Sequence, residues 1–260
     1  MTSASPERFH VEYPPIVEAI IGIDCDLPPT FDLSSVEDKA LDSLRADYPN
    51  LQKKTTKNVK LESKGQEEIT QSVTEGLEAL MFRSEDGKQL AQFRKSGYSF
   101  NRLAPYGDLD EYIVDINATW EIFREICEPI QLRRISLRTI NRIKLPLEDG
   151  GGVKLDDYLN TGPRLPKPEG RVLQFGNFLN QHQIIDTTTG YHVNIVLATQ
   201  EVKDGKLTLL LDTDAFSFNV DNVGKWEEIE LIIQSLRDLK NDLFKNILTD
   251  KCLNLFSNPQ

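Results

Sequence analysis

The chain has 260 residues, of which 39% are hydrophobic and 27% are charged, a balance that is typical of folded globular proteins and excludes a disordered chain. Its 41 Asp and Glu residues outnumber its 30 Lys and Arg residues, which gives a formal net charge of -11. Because nucleic acid is bound mostly through neutralisation of its phosphates, this balance disfavours a general DNA or RNA binder and leaves only a local basic groove open.

Two features of the sequence predict a cytoplasmic protein that does not enter a membrane. The segment from Met1 to Arg8 lacks the basic and apolar regions of a signal peptide, and no apolar run reaches the roughly 18 residues of a membrane helix.

The cysteines, Cys25, Cys127 and Cys252, lie far apart in apolar stretches. This pattern favours reduced, buried thiols over a disulfide framework or a zinc site.

The first half of the chain has the pattern of a strand, a helix and a three-stranded meander. Pro14 and Pro15 precede a stretch rich in Ile and Val, so a first strand is expected from Ile16 to Asp24. Ser34 and Glu37 have the spacing of a capping box before an apolar helical stripe. Three strands are then predicted, at Lys53–Ser63, Leu77–Arg83 and Gln89–Leu103.

A helix capped by Asp108, with apolar side chains at helical spacing up to Phe123, ends the first half. The second half follows a similar order. A strand is predicted from Leu132 to Leu145, and a short helical piece from Leu155 to Leu159. A final long helix has an apolar face that runs from Trp226 to Ile247. Between these helical segments three strands are expected, at Val172–Leu179, Gln183–Thr199 and Leu207–Phe218.

These elements predict an α+β fold, in which one antiparallel sheet carries helices on one face. Each half contains a strand, a helix, three strands and a helix, so the halves are interpreted as an internal duplication of a β-α-β-β-β-α unit. The boundary is placed between residues 130 and 131. Residues 1–130 and 131–260 are expected to form one continuous globular unit.

Five short motifs follow one another along the chain and together resemble a known family. They are Tyr13–Ala19 (YPPIVEA), Asn101–Tyr106 (NRLAPY), Arg138–Ile143 (RTINRI), Leu211–Phe216 (LDTDAF) and Thr249–Lys251 (TDK). Their order resembles that of a sporadically distributed, uncharacterised prokaryotic protein family. The resemblance covers nearly the whole chain and implies a single-family architecture and a bacterial or archaeal source. The patchy distribution implies an accessory role, such as one in defence or toxin–antitoxin systems.

The strand predicted around residues 133–145 has two chemically different faces, because successive side chains of a strand alternate in direction. One face is apolar, and the other carries Arg134, Ser136, Arg138, Arg142 and Lys144. The planar guanidinium of arginine matches carboxylates and phosphates, so this stripe predicts a site for an anionic ligand or an acidic partner segment. The alternative is that its arginines pair with Asp or Glu side chains of neighbouring strands.

Polar residues near strand ends extend this candidate site. Arg102 and Tyr106 lie where a predicted strand leaves the sheet, a position that suits binding as well as local turn structure. The same Asn-Arg pair recurs at Asn141 and Arg142. The predicted ligand- or partner-binding residues are Arg102, Tyr106, Arg134, Arg138, Asn141 and Arg142.

Metal chemistry receives less support from the sequence. Asp212 and Asp214 lie two residues apart on a predicted strand, and together with Glu18 they are weak candidates for holding Mg²⁺. No histidine or cysteine has a neighbour at metal-ligand spacing, and no Gly-rich phosphate loop occurs. We therefore expect no cofactor and assign no metal site.

Three functions remain open. The leading hypothesis is a non-enzymatic interaction protein of a bacterial accessory system that binds a protein or anionic partner, or associates with itself, through the sheet face or the C-terminal helix. The first alternative is a metal-dependent enzyme that acts on a phosphorylated or nucleotide substrate through the arginine stripe. The second alternative is a nucleic-acid-binding protein with a local basic groove.

Overall fold

The structure is a computed structural model that describes residues 11–64, 68–149, 151–166, 168–171, 173, 175–218, 220 and 225–257. The side chains of residues 58–64 and 68–75 lie outside this description. Within these limits the chain forms a large antiparallel sheet with helices packed on one side of it, which confirms the predicted α+β class.

Nine strands form one sheet within the described ranges. In chain order they are β1 (Ile16–Asp26), β2 (Asn50–Lys64), β3 (Glu68–Arg83), β4 (Gln89–Arg94), β5 (Gly97–Leu103), β6 (Gln131–Pro146), β7 (Leu179–Ile185), β8 (His192–Lys203) and β9 (Lys206–Ser217). Their order across the sheet is β2-β3-β4-β5-β1-β6-β9-β8-β7, and each pairing is antiparallel. The sheet centre is therefore the long pairing of β1 with β6.

The helices lie on one side of the sheet, which we call the helix face. They are α1 (Leu33–Leu44), α2 (Ile113–Cys127), α3 (Trp226–Ile247) and the short α4 (Asp250–Leu253), and 3-10 turns occur at Leu109–Glu111, Leu155–Asp157 and Asn254–Ser257. α1 and α2 contact β3, β4 and β5, whereas α3 crosses β6 and β9. The opposite side of the sheet, the open face, has no helix packed on it in the described part of the chain. None of the described helices is long and apolar enough to cross a membrane.

Aromatic side chains from β4, β5 and α2 are among the largest fully buried side chains of the core. Tyr98, Trp120 and Phe123 are fully buried, with Trp120 5.7 Å from Tyr98 and 5.5 Å from Phe123 between ring centroids. Side chains of this size remove large apolar areas from water and prefer such offset and edge-to-face geometries. On the other half of the helix face, α3 buries Ile229 and Ile233 against the sheet.

Two segments that were each predicted as one strand are in fact hairpins, with two strands joined by a turn. Gln89–Leu103 is divided into β4 and β5 by a turn at Lys95 and Ser96. Gln183–Thr199 is divided into the end of β7 and β8 by a turn in which the Asp186 carboxylate accepts hydrogen bonds from Thr188 N and Thr189 Oγ1. Such side-chain-to-backbone bonds compete locally with strand pairing.

Other boundaries differ from the sequence-based prediction. The third strand begins at Glu68, before the predicted start at Leu77. In the stretch predicted as a strand at Val172–Leu179, residues 172 and 174 lie outside the described residues, and the described residues before Leu179 are not in a strand. The capping box is also wrong, because α1 is capped by Asp32, whose carboxylate accepts a hydrogen bond from Ser34 N at 3.2 Å.

The division of the chain into two halves has a counterpart in the strand order. Strands β2-β3-β4-β5-β1 occupy one side of the sheet, and β6-β9-β8-β7 occupy the other. The first half has five strands and the second has four, and a 3-10 turn at Leu155–Asp157 stands where the first half has α1. The boundary at residue 130 and the internal duplication stay predictions.

Candidate anion-binding cavity

The open face shows what the predicted arginine stripe contacts. Arg138 on β6 forms a two-point ion pair with Asp212 on β9, with Nε to Oδ1 at 2.8 Å and Nη2 to Oδ2 at 2.5 Å. Arg134 Nη2 donates to Asp214 Oδ2 at 2.6 Å, and the Arg134 guanidinium lies 4.2 Å from the Phe216 ring centroid. These two arginines therefore pair across strands, as the structural alternative expected.

The acidic residues considered for a metal are engaged in the same network. Burial raises the pKa of Asp214, although Arg134 and Arg138 oppose that shift. Glu18 on β1 accepts a hydrogen bond from Asn101 Nδ2 at 2.6 Å. No group of three or more His, Cys, Asp or Glu side chains able to hold a metal ion occurs among the described residues. Glu18, Asp212 and Asp214 thus lie on one face but serve as partners of cations and amides.

Arg102 and Arg142 lie on opposite faces of the sheet. Arg142 is exposed on the open face, and its backbone N–H donates to Pro15 O at 2.9 Å. Arg102 on β5 points to the helix face, where it lines a hollow together with Tyr48 and Asp115. The alternation of side chains along strands separates these residues, so the predicted binding set does not form one cluster.

Tyr106 and Asn141 come together at a different place, a cavity of about 230 Å³ where α3 passes the beginning of β1. The N-terminal segment, the loop after β5, the helix face of β6, and α3 form its walls. Its lining comprises Val11, Glu12, Pro14, Pro15, Ile16, Tyr106, Gly107, Asp108, Glu111, Thr139, Asn141, Arg237, Lys240, Asn241 and Phe244. Pockets for drug-sized ligands span roughly 300–1,000 Å³, so this cavity fits a small molecule of fewer atoms.

The N-terminal wall of the cavity is held by backbone hydrogen bonds on both sides. Tyr13 N donates to Phe256 O at 3.0 Å, and Pro15 O accepts from Arg142 N. Pro14 and Pro15 have no N–H of their own and cannot continue a strand ladder, so the segment leaves the sheet here and covers the cavity.

Arg237 contributes the first buried cation of this cavity. The residue is 5% exposed, and its Nη1 donates to Asp110 Oδ1 at 2.8 Å and to Asp108 Oδ1 at 3.3 Å. Its Nε and Nη2 atoms are buried and have no hydrogen-bond partner among the described residues. Two guanidinium nitrogens of this side chain, with three N–H donors between them, are therefore left for a further acceptor.

Lys240, one helical turn further along α3, contributes the second cation. The residue is 8% exposed, and its ammonium forms neither a hydrogen bond nor an ion pair with any residue in the described ranges. The pKa of Lys240 is lowered to about 8, mainly by burial and also by the charge of Arg237, against the opposing effect of Asp108. The side chain is thus mostly protonated at neutral pH, although a buried charge is unfavourable without a partner.

Asn141 adds a buried amide to the same cavity. Its side chain is 1% exposed and its Nδ2 donates to Leu211 O at 3.1 Å, which fixes the orientation of the amide group. The Asn141 Oδ1 atom is buried and has no partner in the part of the chain that the structure describes. The cavity therefore presents unpaired donors on two cations and one unpaired acceptor.

Acidic side chains lie at the mouth of the cavity. Glu12 and Glu111 are exposed, and neither forms an ion pair with the residues described here. The Glu111 carboxylate lies so close to Gly107 that a Cβ at this position would be 2.0 Å from its Oε2 atom. Burial raises the pKa of Tyr106 to about 12, so its phenol remains a neutral hydroxyl group over the physiological range. Charge is therefore positive in the interior and negative at the mouth.

Sequence reasoning found Tyr106 and Asn141 but missed Arg237 and Lys240. The signal was present in α3, where apolar residues recur at helical spacing on the buried side. Lys240 stands four residues after Leu236 and four before Phe244, so its position belongs to the apolar stripe. Charged residues at stripe positions of an amphipathic helix are the pattern that would have identified both.

Comparison with known proteins gives no further guide to this cavity. No protein-family model matches the chain, and a search of curated proteins finds no match either. The resemblance to a prokaryotic family therefore stays a prediction.

Proposed function

We propose that this protein is a binding protein whose ligand is a small anion held in the cavity by Lys240 and Arg237. The observation that carries the proposal is that Lys240, a buried residue whose side chain forms no ion pair with the described residues, lies next to unpaired guanidinium donors of Arg237. A carboxylate, sulfate or phosphate oxygen at this position would supply the missing hydrogen bonds and charge.

Energetics favour a ligand site over a purely structural role for these cations. A buried lysine with no partner destabilises the folded chain, whereas an anion would convert it into a charge-assisted pair. Costs of this kind are tolerated where function requires them. The proposal keeps the predicted non-enzymatic binding role and the predicted anionic partner, but it replaces the arginine stripe with a cavity on the helix face.

The two alternative functions have less support. An enzyme with a metal at Glu18, Asp212 and Asp214 would first have to break their bonds with Asn101, Arg138 and Arg134. A nucleic acid is too large for a cavity of about 230 Å³. The place of the chain in a bacterial accessory system remains a prediction of the sequence.

Isothermal titration calorimetry with sodium sulfate tests the proposal, because sulfate is an anion that does not titrate near neutral pH. We expect the intact chain to bind one sulfate at pH 7 in a buffer of low chloride concentration. Lys240→Met should weaken this binding by about 10-fold to 100-fold, the loss expected for one charged hydrogen bond.

Lys245→Met is the matched control, because Lys245 lies on the same helix, is exposed, and does not line the cavity. The control variant should bind sulfate as the original chain does. Equal affinity of the Lys240→Met variant, or no binding by the original chain, would contradict the proposed function.

A further inference from the structure

The arrangement of charges in the cavity indicates the chemical class of the ligand as well as the sign of its charge. The two cations and the amide, Arg237, Lys240 and Asn141, are each at least nine-tenths buried. The carboxylates of Glu12 and Glu111 are exposed at the mouth. An anion that enters the cavity must therefore pass two negative charges that have no ion-pair partner among the described residues.

These carboxylates disfavour a simple anion and favour a ligand with a cationic group of its own. Like charges at an interface repel wrong partners, whereas opposite charges fix the orientation of the right one. A ligand with its negative group toward Lys240 and a positive group toward Glu12 and Glu111 would match both ends. The unpaired Asn141 Oδ1 atom also requires a hydrogen-bond donor, which a bare carboxylate or sulfate does not have.

We infer that the ligand is a small zwitterion of the amino acid class, bound with its carboxylate at Lys240 and Arg237 and its ammonium toward Glu12, Glu111 and Asn141. This inference rests on the proposed function and adds the chemical class of the ligand. The cavity volume of about 230 Å³ suits an amino acid, whereas nucleotides and other large ligands need more space. Apolar residues of the lining, among them Ile16 and Phe244, provide contacts for a side chain.

Two pairs of compounds test this inference, because the members of each pair differ only by an ammonium group. They are propionate with alanine, and succinate with aspartate. In calorimetric titrations of the intact chain at pH 7, we expect at least one amine-bearing member to bind about 10-fold or more tightly than its amine-free partner. The double variant Glu12→Gln/Glu111→Gln should lose this preference and bind sulfate more tightly than the original chain, because two negative charges near the anion are removed.

Glu125→Gln is the control, since Glu125 is an exposed residue of α2 that does not line the cavity. It should preserve the preference for the amine. Sulfate binding without any preference for an amine in either pair would overturn the inference and leave the proposed function intact. Absence of binding by sulfate and by all four compounds would overturn both.

Discussion

At the scale of single residues, Lys240 connects the stability of the fold with binding. Its pKa falls from the ordinary value of 10.5 to about 8, mainly because burial penalises the charged form. Each pKa unit corresponds to about 1.4 kcal/mol, so the protonated side chain destabilises the folded chain by roughly 3 kcal/mol at neutral pH. Binding of an anion would offset part of this free energy.

Replacement of Lys240 should therefore stabilise the unliganded protein. We expect Lys240→Met to raise the free energy of unfolding at pH 7 by about 2–3 kcal/mol, because it removes a buried charge and keeps an apolar chain of similar length. Between pH 8 and 10.5 the unfolded lysine holds more protons than the folded one. The original chain gains stability over that window, and the advantage of the variant shrinks.

Urea unfolding curves at neutral pH and at about pH 9.5 measure this difference. Lys245→Met, the control on the same helix, should change stability little at either pH. A Lys240→Met variant that is several kcal/mol less stable than the original chain at pH 7 would show that the ammonium has a favourable partner.

The same residue predicts a pH dependence of binding. Sulfate affinity should be nearly constant below pH 8 and should fall about 10-fold per pH unit above it, since one proton on Lys240 is required. The phenol of Tyr106 does not titrate in this range, because burial raises its pKa to about 12. The other charged residues that line the cavity are Arg237, Glu12, Glu111 and Asp108. Calorimetry from pH 6 to 10 measures the dependence, and a flat profile would exclude Lys240 as the anion ligand.

At the scale of elements, the hairpin of β4 and β5 depends on one glycine. Gly97 has a φ of 130°, and a Cβ at this position would lie 2.2 Å from Ile23 O of the neighbouring strand β1. Gly97→Ala should therefore destabilise the chain by about 3 kcal/mol or more, through backbone strain and displacement of β1. Thermal unfolding measures this change.

Gly176→Ala is the control for this variant, because a Cβ at Gly176 meets no atom within 4 Å and its φ is not positive. It should alter stability by less than about 1 kcal/mol. If both alanine variants unfold at the same temperature as the original chain, β1 and β5 can move apart without loss of stability, which would contradict the prediction.

The ion pairs of the open face give a second prediction at this scale. Arg138 is 45% exposed while Asp212 is 12% exposed, so solvent screens the pair only in part. A double-mutant cycle with Arg138→Gln and Asp212→Asn should give a coupling free energy of about 1 kcal/mol. The exposed pair of Arg124 with Glu121 on α2 should give less than about 0.5 kcal/mol. Equal coupling free energies in the two pairs would mean that partial burial and two-point geometry do not strengthen the Arg138–Asp212 pair.

Helix α3 shows why part of the site was not predicted. Hydrophobic periodicity identified the helix and its buried side correctly, because Ile229, Ile233 and Leu236 dominate the pattern. The same pattern marks Lys240 and Arg237 as cations at stripe positions, but it does not show whether their charges are enclosed, since long Lys and Arg side chains on an amphipathic helix often extend to solvent. Only the packing of α3 over β6 and the N-terminal segment determines that Lys240 is enclosed.

At the scale of the whole molecule, the sequence was sufficient for the fold class but not for the arrangement of sites. Strand alternation correctly separated the two faces of β6, and the helices were found. The positions of Arg102, Arg138 and Arg142 in the sequence did not show on which face of the sheet each side chain would lie. Register is a long-range property, and it places Arg102 on the helix face and the other two on the open face.

Pairing of β1 with β6 at the sheet centre explains where the cavity forms. It brings the proline segment before β1 next to Asn141 of β6, and α3 covers this junction from the helix face. Residues from the first, middle and last parts of the chain thus meet at one place. Tyr106 and Asn141 were predicted as site residues from their local sequence, but their meeting with Lys240 depends on this topology.

The measurement that tests the central claim most directly is an NMR titration of the Lys240 side chain, with and without saturating sulfate. The Lys240→Met variant identifies the Lys240 Cε resonance in spectra of the labelled chain. The account predicts a titration midpoint near pH 8 without sulfate, and a midpoint raised by about one unit or more with sulfate, because an adjacent anion stabilises the protonated form. A midpoint that sulfate leaves unchanged would contradict an anion site at Lys240.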